Sequence, residues 1–264
     1  MKYKWWVVIS LVALLLMVWR SIGDSKVKVV FCDVGQGDGA LIISGSFQML
    51  IDTGGNNQRM LSCLSRHLPF WDKNIETVVL SHWDIDHSGG LPDISRYYKI
   101  EKLYSNRLPP AGDEQKFYPT IIGENDIIRY GGIDFEILSK NVDDGDSNEN
   151  SLVGVLRYKD LPSGRQVKIL MMGDAPMEVE QSLVWQEKLK SLSNEVDILK
   201  ISHHGSDMAT SEELLDEVNP KEAVISVGKN NKFGHPGKVV LKRLEERGIK
   251  IKRTDNMGDV TVTY

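Results

Sequence analysis

The chain of 264 residues carries 32 Lys+Arg against 37 Asp+Glu, a formal net charge of −5, which excludes a protein built around a polybasic nucleic-acid tail. Its 41% hydrophobic and 26% charged residues exclude a disordered chain, and two cysteines are too few for a disulfide scaffold. Cys32 and Cys63 match no zinc-ligand spacing and read as buried, unbonded apolar side chains.

In chain order, the first feature is the uncharged stretch 5–19 (WWVVISLVALLLMVW), bracketed by Lys2, Lys4 and Arg20. A helix of that length spans about 22 Å, short of a hydrocarbon core of roughly 30 Å. Snorkelling by Lys4 and Arg20, extension through Ile22, and interfacial seating of Trp5, Trp6 and Trp19 close the difference. Residues 1–25 are therefore expected to be a single-pass membrane anchor. The alternative is a cleaved signal of a secreted protein, but VWRSIGDSK offers no small-x-small cleavage site. The leading positive charges keep the N-terminus cytoplasmic and place residues 26–264, one α/β-sized domain, outside the cell membrane.

Apolar and β-branched runs then recur as KVKVVFCDV, ALIIS, FQMLIDTG, TVVLSH, KLYS, DFEILS, LVGVLRY, VKILMMGD, DILKISHH, EAVISV and VTVTY, each bounded by turn residues, and read as buried strands. Helices are expected in QRMLSCLSRHL, PMEVEQSLVWQEKLKSL, TSEELLDEV, where Thr210 or Ser211 starts the helix, and PGKVVLKRLEERG. Pro109-Pro110 and NVDDGDSNEN mark exposed loops. The pattern predicts a layered α/β architecture with two sheets and outer helices.

Chemistry concentrates where strands end. After TVVL, the sequence Ser81-His82-Trp83-Asp84-Ile85-Asp86-His87-Ser88 sets imidazoles and carboxylates within a few residues of one terminus, the donor types that zinc, manganese or non-haem iron accept. Asp174 ends VKILMMGD, where Gly173 lets the backbone turn sharply. His203, His204 and Ser206 follow VDILKIS, and His235 follows EAVISVG through Phe233-Gly234. The remaining histidine, His67, lies in the amphipathic stretch LSCLSRHL and reads as an ordinary surface or core residue.

Taken together, LIDTGG, SHWDIDHSGG, MMGD and the later histidine strands resemble the motif series of the metallo-β-lactamase superfamily. The second motif is HxDxDH rather than HxHxDH, with Asp84 in place of a histidine. With CDVGQGDGALI, ENSLV, SHHGS and FGHP, this variant resembles the C-terminal metallo-β-lactamase-like domain of ComEC-type DNA-internalisation proteins, from about residue 27 to the end. The sequence holds a single apolar segment, so what the resemblance implies is confined to that domain.

The resemblance implies a four-layer αββα sandwich with its site along one edge between the sheets. It implies that His82, Asp84, Asp86 and His87 bind one or two divalent ions, Zn²⁺ or Mn²⁺, with Asp174 as a bridging carboxylate and His203 completing the set. His204 and His235 are alternatives to His203, as ligands or as proton donors to a leaving oxygen. The superfamily's third histidine has no counterpart, its region reading Glu149-Asn150-Ser151. Asp52 is expected to support the ligands through hydrogen bonds, and Asn150 and Ser206 to support the site or meet substrate. Asp33, Gln36 and Asp38 form a tight polar turn that either faces the cavity or only holds its own shape.

The activity so implied is hydrolysis by water activated on the metal, with Asp86 orienting it. A phosphodiester is the expected substrate and DNA the leading one. Other readings are a hydrolase of another envelope ester (a phospholipid, teichoic acid or lactone) and a catalytically silent partner of DNA or of a competence machine. Residues 238–253 hold seven Lys/Arg against two Glu, read either as a solvated amphipathic helix or as a local basic face for phosphate.

Overall fold

A computed structural model of the chain describes residues 5–12, 26–110, 117–139, 148–160, 163–193 and 195–263. Among the described residues, two seven-stranded sheets pack face to face. The first has the order β14 (Val260–Thr263), β1 (Lys28–Phe31), β2 (Ala40–Ser44), β3 (Phe47–Ile51), β4 (Asn74–Leu80), β5 (Lys99–Ser105), β6 (Thr120–Ile121). The second has the order β13 (Lys250–Arg253), β12 (Glu222–Ile225), β11 (Ile198–Lys200), β10 (Gln166–Met171), β9 (Gly154–Lys159), β8 (Ile133–Ile137), β7 (Ile127–Tyr130).

The period of two along each strand divides its side chains between two cores. Val29, Phe31, Ile42 and Met49 of the first sheet meet Leu156, Ile169 and Val224 of the second between the sheets. Val30, Leu41 and Leu50 face outward onto Met60, Cys63 and Leu64 of α1 (Arg59–His67) and, past the short α2 (Ile85–Ser88), onto Leu91 and Ile94 of α3 (Leu91–Tyr97). On the opposite side, α4 (Met177–Trp185), α5 (Glu212–Val218) and α6 (Lys238–Glu246) cover Leu170, Leu199 and Ala223. The layers are helix, sheet, sheet, helix, and strands buried on both faces are why the sequence reads as unbroken apolar runs.

Local signals set the helix ends. Ser211 caps α5, its Oγ accepting from Leu214 N at 3.1 Å. The helix expected through residue 192 stops at Trp185, because Glu187 takes φ 56°, and 190–192 form a separate 3₁₀ turn. The basic stretch 238–253 is α6 followed by the edge strand β13, and the last short helix, α7 (Thr254–Met257), leads into β14. Lys242, Arg243, Arg247, Lys250, Lys252 and Arg253 are each paired with a carboxylate, which leaves little of the basic face unneutralised.

The cysteines correct the sequence expectation. They are buried as expected, but Cys32 and Cys63 form a disulfide that ties the end of β1 to α1. Their separation of 31 residues corresponds, on a chain-entropy account, to about 3–4 kcal/mol of stabilisation through the unfolded state.

Of the expected anchor, residues 5–12 are helical with exposed side chains, and 1–4 and 13–25 lie outside the described residues. Among the described residues no helix is long and apolar enough to cross a membrane. The acidic stretch 140–147 also lies outside them.

Candidate metal centre

The parallel strands β3, β4, β10 and β11 deliver the site residues at their C-terminal ends, the usual location for a ligand site in α/β sheets. Asp52 directly follows β3 and takes φ 60°, a left-handed backbone that an aspartate tolerates better than most residues. Its carboxylate accepts from Ser81 N and from Ser81 Oγ, both at 2.7 Å, and lies 2.9 Å from His87 Nδ1. Because Ser81 spends its hydroxyl proton on Asp52, its oxygen is left to accept from His82 Nδ1 at 3.0 Å. Asp52 thereby fixes both imidazoles with Nε2 directed inward. His204 is fixed in the same way, its Nδ1 lying 3.0 Å from Ser226 O.

The inward-facing atoms converge on Asp174. His87 Nε2 lies 3.1 Å from Asp174 Oδ1, and His204 Nε2 lies 3.5 Å from Asp174 Oδ2 and 3.2 Å from Asp86 Oδ2. These contacts are close but poorly aligned. Nε2 of His82, His87 and His204, together with Asp174 Oδ1 and Asp38 Oδ1, are buried without an aligned hydrogen-bond partner among the described residues. Ligand atoms of Asp38, His87, Asp174 and His204 all lie within 4.8 Å of one another. Buried lone pairs left unpaired in this way are costly, and a mixed imidazole and carboxylate set of this geometry fits a divalent cation.

Electrostatics shows the same mutual dependence. Burial opposes the charged form of Asp174, yet the His87 and His204 imidazoles outweigh it and hold the carboxyl well below its ordinary range. Burial disfavours the cationic form of His204, but Asp174 and Asp38 raise it to about 9, and Asp174 and Asp52 likewise raise His87. His82 is lowered by burial and by His87. Protons and a divalent cation compete for the same lone pairs, so metal loading would release protons and tighten as pH rises.

The remaining expected residues fall into distinct places. Asp84 lies 3.7 Å from His82 Nε2 but is 45% exposed, at the rim. The turn Ser202–Gly205 gives His203 and His204 left-handed dihedrals, sending His204 into the centre. His203, the first choice for completing the ligand set, stands 3.9 Å from Asp174 Oδ2, with its ring 5.8 Å from that of His235. Asp38 reaches the centre. Asp33 does not, because it accepts from Gly35 N and pairs with exposed Arg59, so it holds the turn. Gln36 Oε1 accepts from Gly228 N and ties that turn to the loop after β12. Ser206 Oγ accepts from Met208 N and shapes its own turn rather than lining the centre. Asn150 O accepts from Asn106, while Ser151 Oγ, overlooked in the sequence, accepts from Asp174 N at 3.0 Å and lies 3.4 Å from His82 Nδ1. His67 is structural, bound to Asp259 and Lys28.

Two packed sheets lie between helical layers, with histidines and aspartates gathered at their strand ends, and the model of the metallo-β-lactamase superfamily matches residues 32–158, so the chain carries a metallo-β-lactamase domain. Within that class it is similar to several bacterial proteins. It is 29% identical to ComE operon protein 3 of Bacillus subtilis over 91% of this chain and 33% of that protein. It is also 29% identical to Recombination protein 2 of Haemophilus influenzae (97% and 31% covered) and to Competence protein ComA of Neisseria gonorrhoeae (90% and 32%). The chain thus spans about a third of the length of the curated relatives it matches. Among solved structures, the metallo-β-lactamase fold protein YhfI from Bacillus subtilis superposes with a TM-score of 0.61 at 12% identity, covering 90% of this chain and all of that one.

Proposed function

We propose that the chain is a metal-dependent hydrolase of phosphodiester bonds, anchored by residues 1–25 with its catalytic domain outside the cytoplasmic membrane, and that DNA is its leading substrate. The observation that carries the reading is the set of buried, unpartnered Nε2 and carboxylate atoms converging on Asp174. Asp38, His87, Asp174 and His204 would hold the ion, with His82 and Asp84 beside them. Zn²⁺ or Mn²⁺ in that position would supply Lewis acidity and a water of lowered pKa. Asp86, 30% exposed beside His204, orients a water on the open side. His203, 33% exposed, has its ring 5.8 Å from that of His235, and the pair would pass a proton to the leaving oxygen.

Two observations favour a nucleic acid. Phe233 is 56% exposed and stacks on His235, a platform for a base at the mouth of the site. Two of the chain's relatives are named as a recombination protein and a competence protein. The buried disulfide supports the extracytoplasmic placement, since such bonds persist in oxidising compartments.

The test is metal content by elemental analysis of the full chain, with turnover of bis(p-nitrophenyl) phosphate and of single- and double-stranded DNA, for the wild type and Asp86→Ala. Metal-dependent DNA cleavage lost in the variant is the expected result. Cleavage of small esters alone would move the reading to another envelope ester. Absence of both metal and turnover would leave a silent binding partner.

A further inference from the structure

At the end of the first sheet remote from the metal centre, the chain exposes an aromatic pair. Asp72 N donates to Pro69 O at 3.0 Å, closing a tight turn with Phe70 and Trp71 at its central positions. Their side chains are 81% and 72% exposed, with the rings edge to face at 4.9 Å. Lys73 follows, its ammonium 4.8 Å over the Tyr98 ring, and Lys99 N donates to Lys73 O, bringing a second lysine alongside.

The N-terminal segment joins the domain at this same end. Lys28, the first residue of β1, pairs with Ile43, which pairs with Gln48, and Gln48 Nε2 donates to Asp72 Oδ2 at 2.9 Å. Lys28 Nζ also lies 3.0 Å from His67 Nδ1, at the end of the helix that leads into the aromatic turn. At about 4.8 Å per strand, the start of β1 and the turn lie on the order of 10–15 Å apart. From this edge β4 rises through seven residues before Ser81 and His82, so the metal centre stands roughly 20 Å away at the other end.

We propose that the Pro69–Asp72 turn is a membrane-contacting loop: Phe70 and Trp71 seat in the headgroup layer of the bilayer that holds the N-terminal segment, and the metal centre faces away from that bilayer. The proposal rests on the reading of residues 1–25 as an anchor and deepens it by fixing the domain's orientation. An aromatic pair with neighbouring lysines suits the interface, where amphipathic rings and snorkelling ammonium groups are both favoured. The orientation also selects the substrate class. A headgroup ester in the same membrane lies out of reach of a centre about 20 Å above it, whereas a polymeric phosphodiester arriving from outside meets the open face.

The native cysteines are bonded to each other, so Trp71→Cys supplies a sole thiol for an environment-sensitive fluorophore. The full chain carrying that label is reconstituted in vesicles of phosphatidylcholine with a minority of phosphatidylglycerol, and Met208→Cys, 73% exposed and following the His203–His204 turn, is labelled as the control. Expected are co-flotation with vesicles, a blue-shifted emission at 71 quenched by nitroxide-labelled lipid, and no change at 208. Co-flotation without quenching at 71, or quenching at 208 instead, overturns the proposal and leaves the anchor standing. Failure to co-float overturns the anchor and the proposal with it. A blue shift without vesicles that grows with protein concentration makes the occupant a second copy of the chain, and also overturns it.

Discussion

Lys200 Nζ lies 2.6 Å from Asp38 Oδ2, an ion pair in which neither side chain is more than 7% exposed. The ammonium also donates to Ile201 O at 2.8 Å, while the other Asp38 oxygen lies 3.2 Å from His204 Nδ1. Burial opposes the ionised form of Asp38, and Lys200 with His204 overcomes it. Lys200 is thus a positioning residue for one edge of the candidate metal centre. Lys200→Met keeps the apolar stem but strands a buried carboxylate, and is expected to cost about 3–5 kcal/mol. Adding Asp38→Asn should recover at least ~1 kcal/mol of that, because the stranded charge is gone. Urea unfolding of the two single variants and the double variant measures the coupling, and additive losses would refute a shared role.

Glu180 is a second buried carboxylate, with Thr210 N and Ser211 N each donating to it at 2.7 Å. Burial outweighs those bonds and pushes its pKa up from 4.5 to about 6. A group raised in the folded state binds its proton more tightly there, so its contribution is fully present below pH 4.5 and is lost as pH rises through about 6. Glu180→Gln removes this titration while keeping one acceptor. The stability of the wild type relative to Glu180→Gln is therefore expected to rise by about 1 kcal/mol between pH 7 and pH 5. Denaturant midpoints at the two pH values check the sign, and an unchanged difference would show that the carboxyl titrates normally.

That strand ends gather imidazoles and carboxylates was legible: an apolar run followed by His82, Asp84, Asp86 and His87 has few structural explanations, and Asp174 repeats the pattern. Which of two adjacent histidines enters the centre was not legible, since the left-handed dihedrals at His203 and His204 decide it. Asp38 was readable only as part of a turn, because its partner Lys200 comes from the other sheet, although a lysine inside the apolar run DILKIS was itself a signal of a buried ion pair. The edge strands β7 and β13, reading IIRY and KIKR, carry the charge that keeps sheet edges from pairing with other chains, and that same charge hid them from an apolar-run reading. The disulfide depends on α1 folding back over the end of β1, a tertiary fact that cysteine spacing does not contain.

Gly37 ties the polar turn to the metal loop. At φ 127° it sits where a Cβ would lie 2.1 Å from Asp86 O, the carbonyl that accepts from Asp38 N at 3.1 Å. A side chain there must push the 33–38 turn away from Asp84 and α2, moving Asp38 and Asp86 apart at the centre they share through His204. Gly37→Ala is expected to leave the sheets folded, since both cores lie away from that contact, yet to weaken Zn²⁺ and Mn²⁺ binding by about 10–100-fold. Gly45 supplies the control: it also has a positive φ, of 60°, but a Cβ there meets nothing within 4 Å. Gly45→Ala should therefore cost only the backbone strain of about 1 kcal/mol and leave metal affinity unchanged. Chelator competition on both variants separates the two effects, and an equal loss of affinity in each would trace it to general destabilisation rather than to the contact between Gly37 and Asp86.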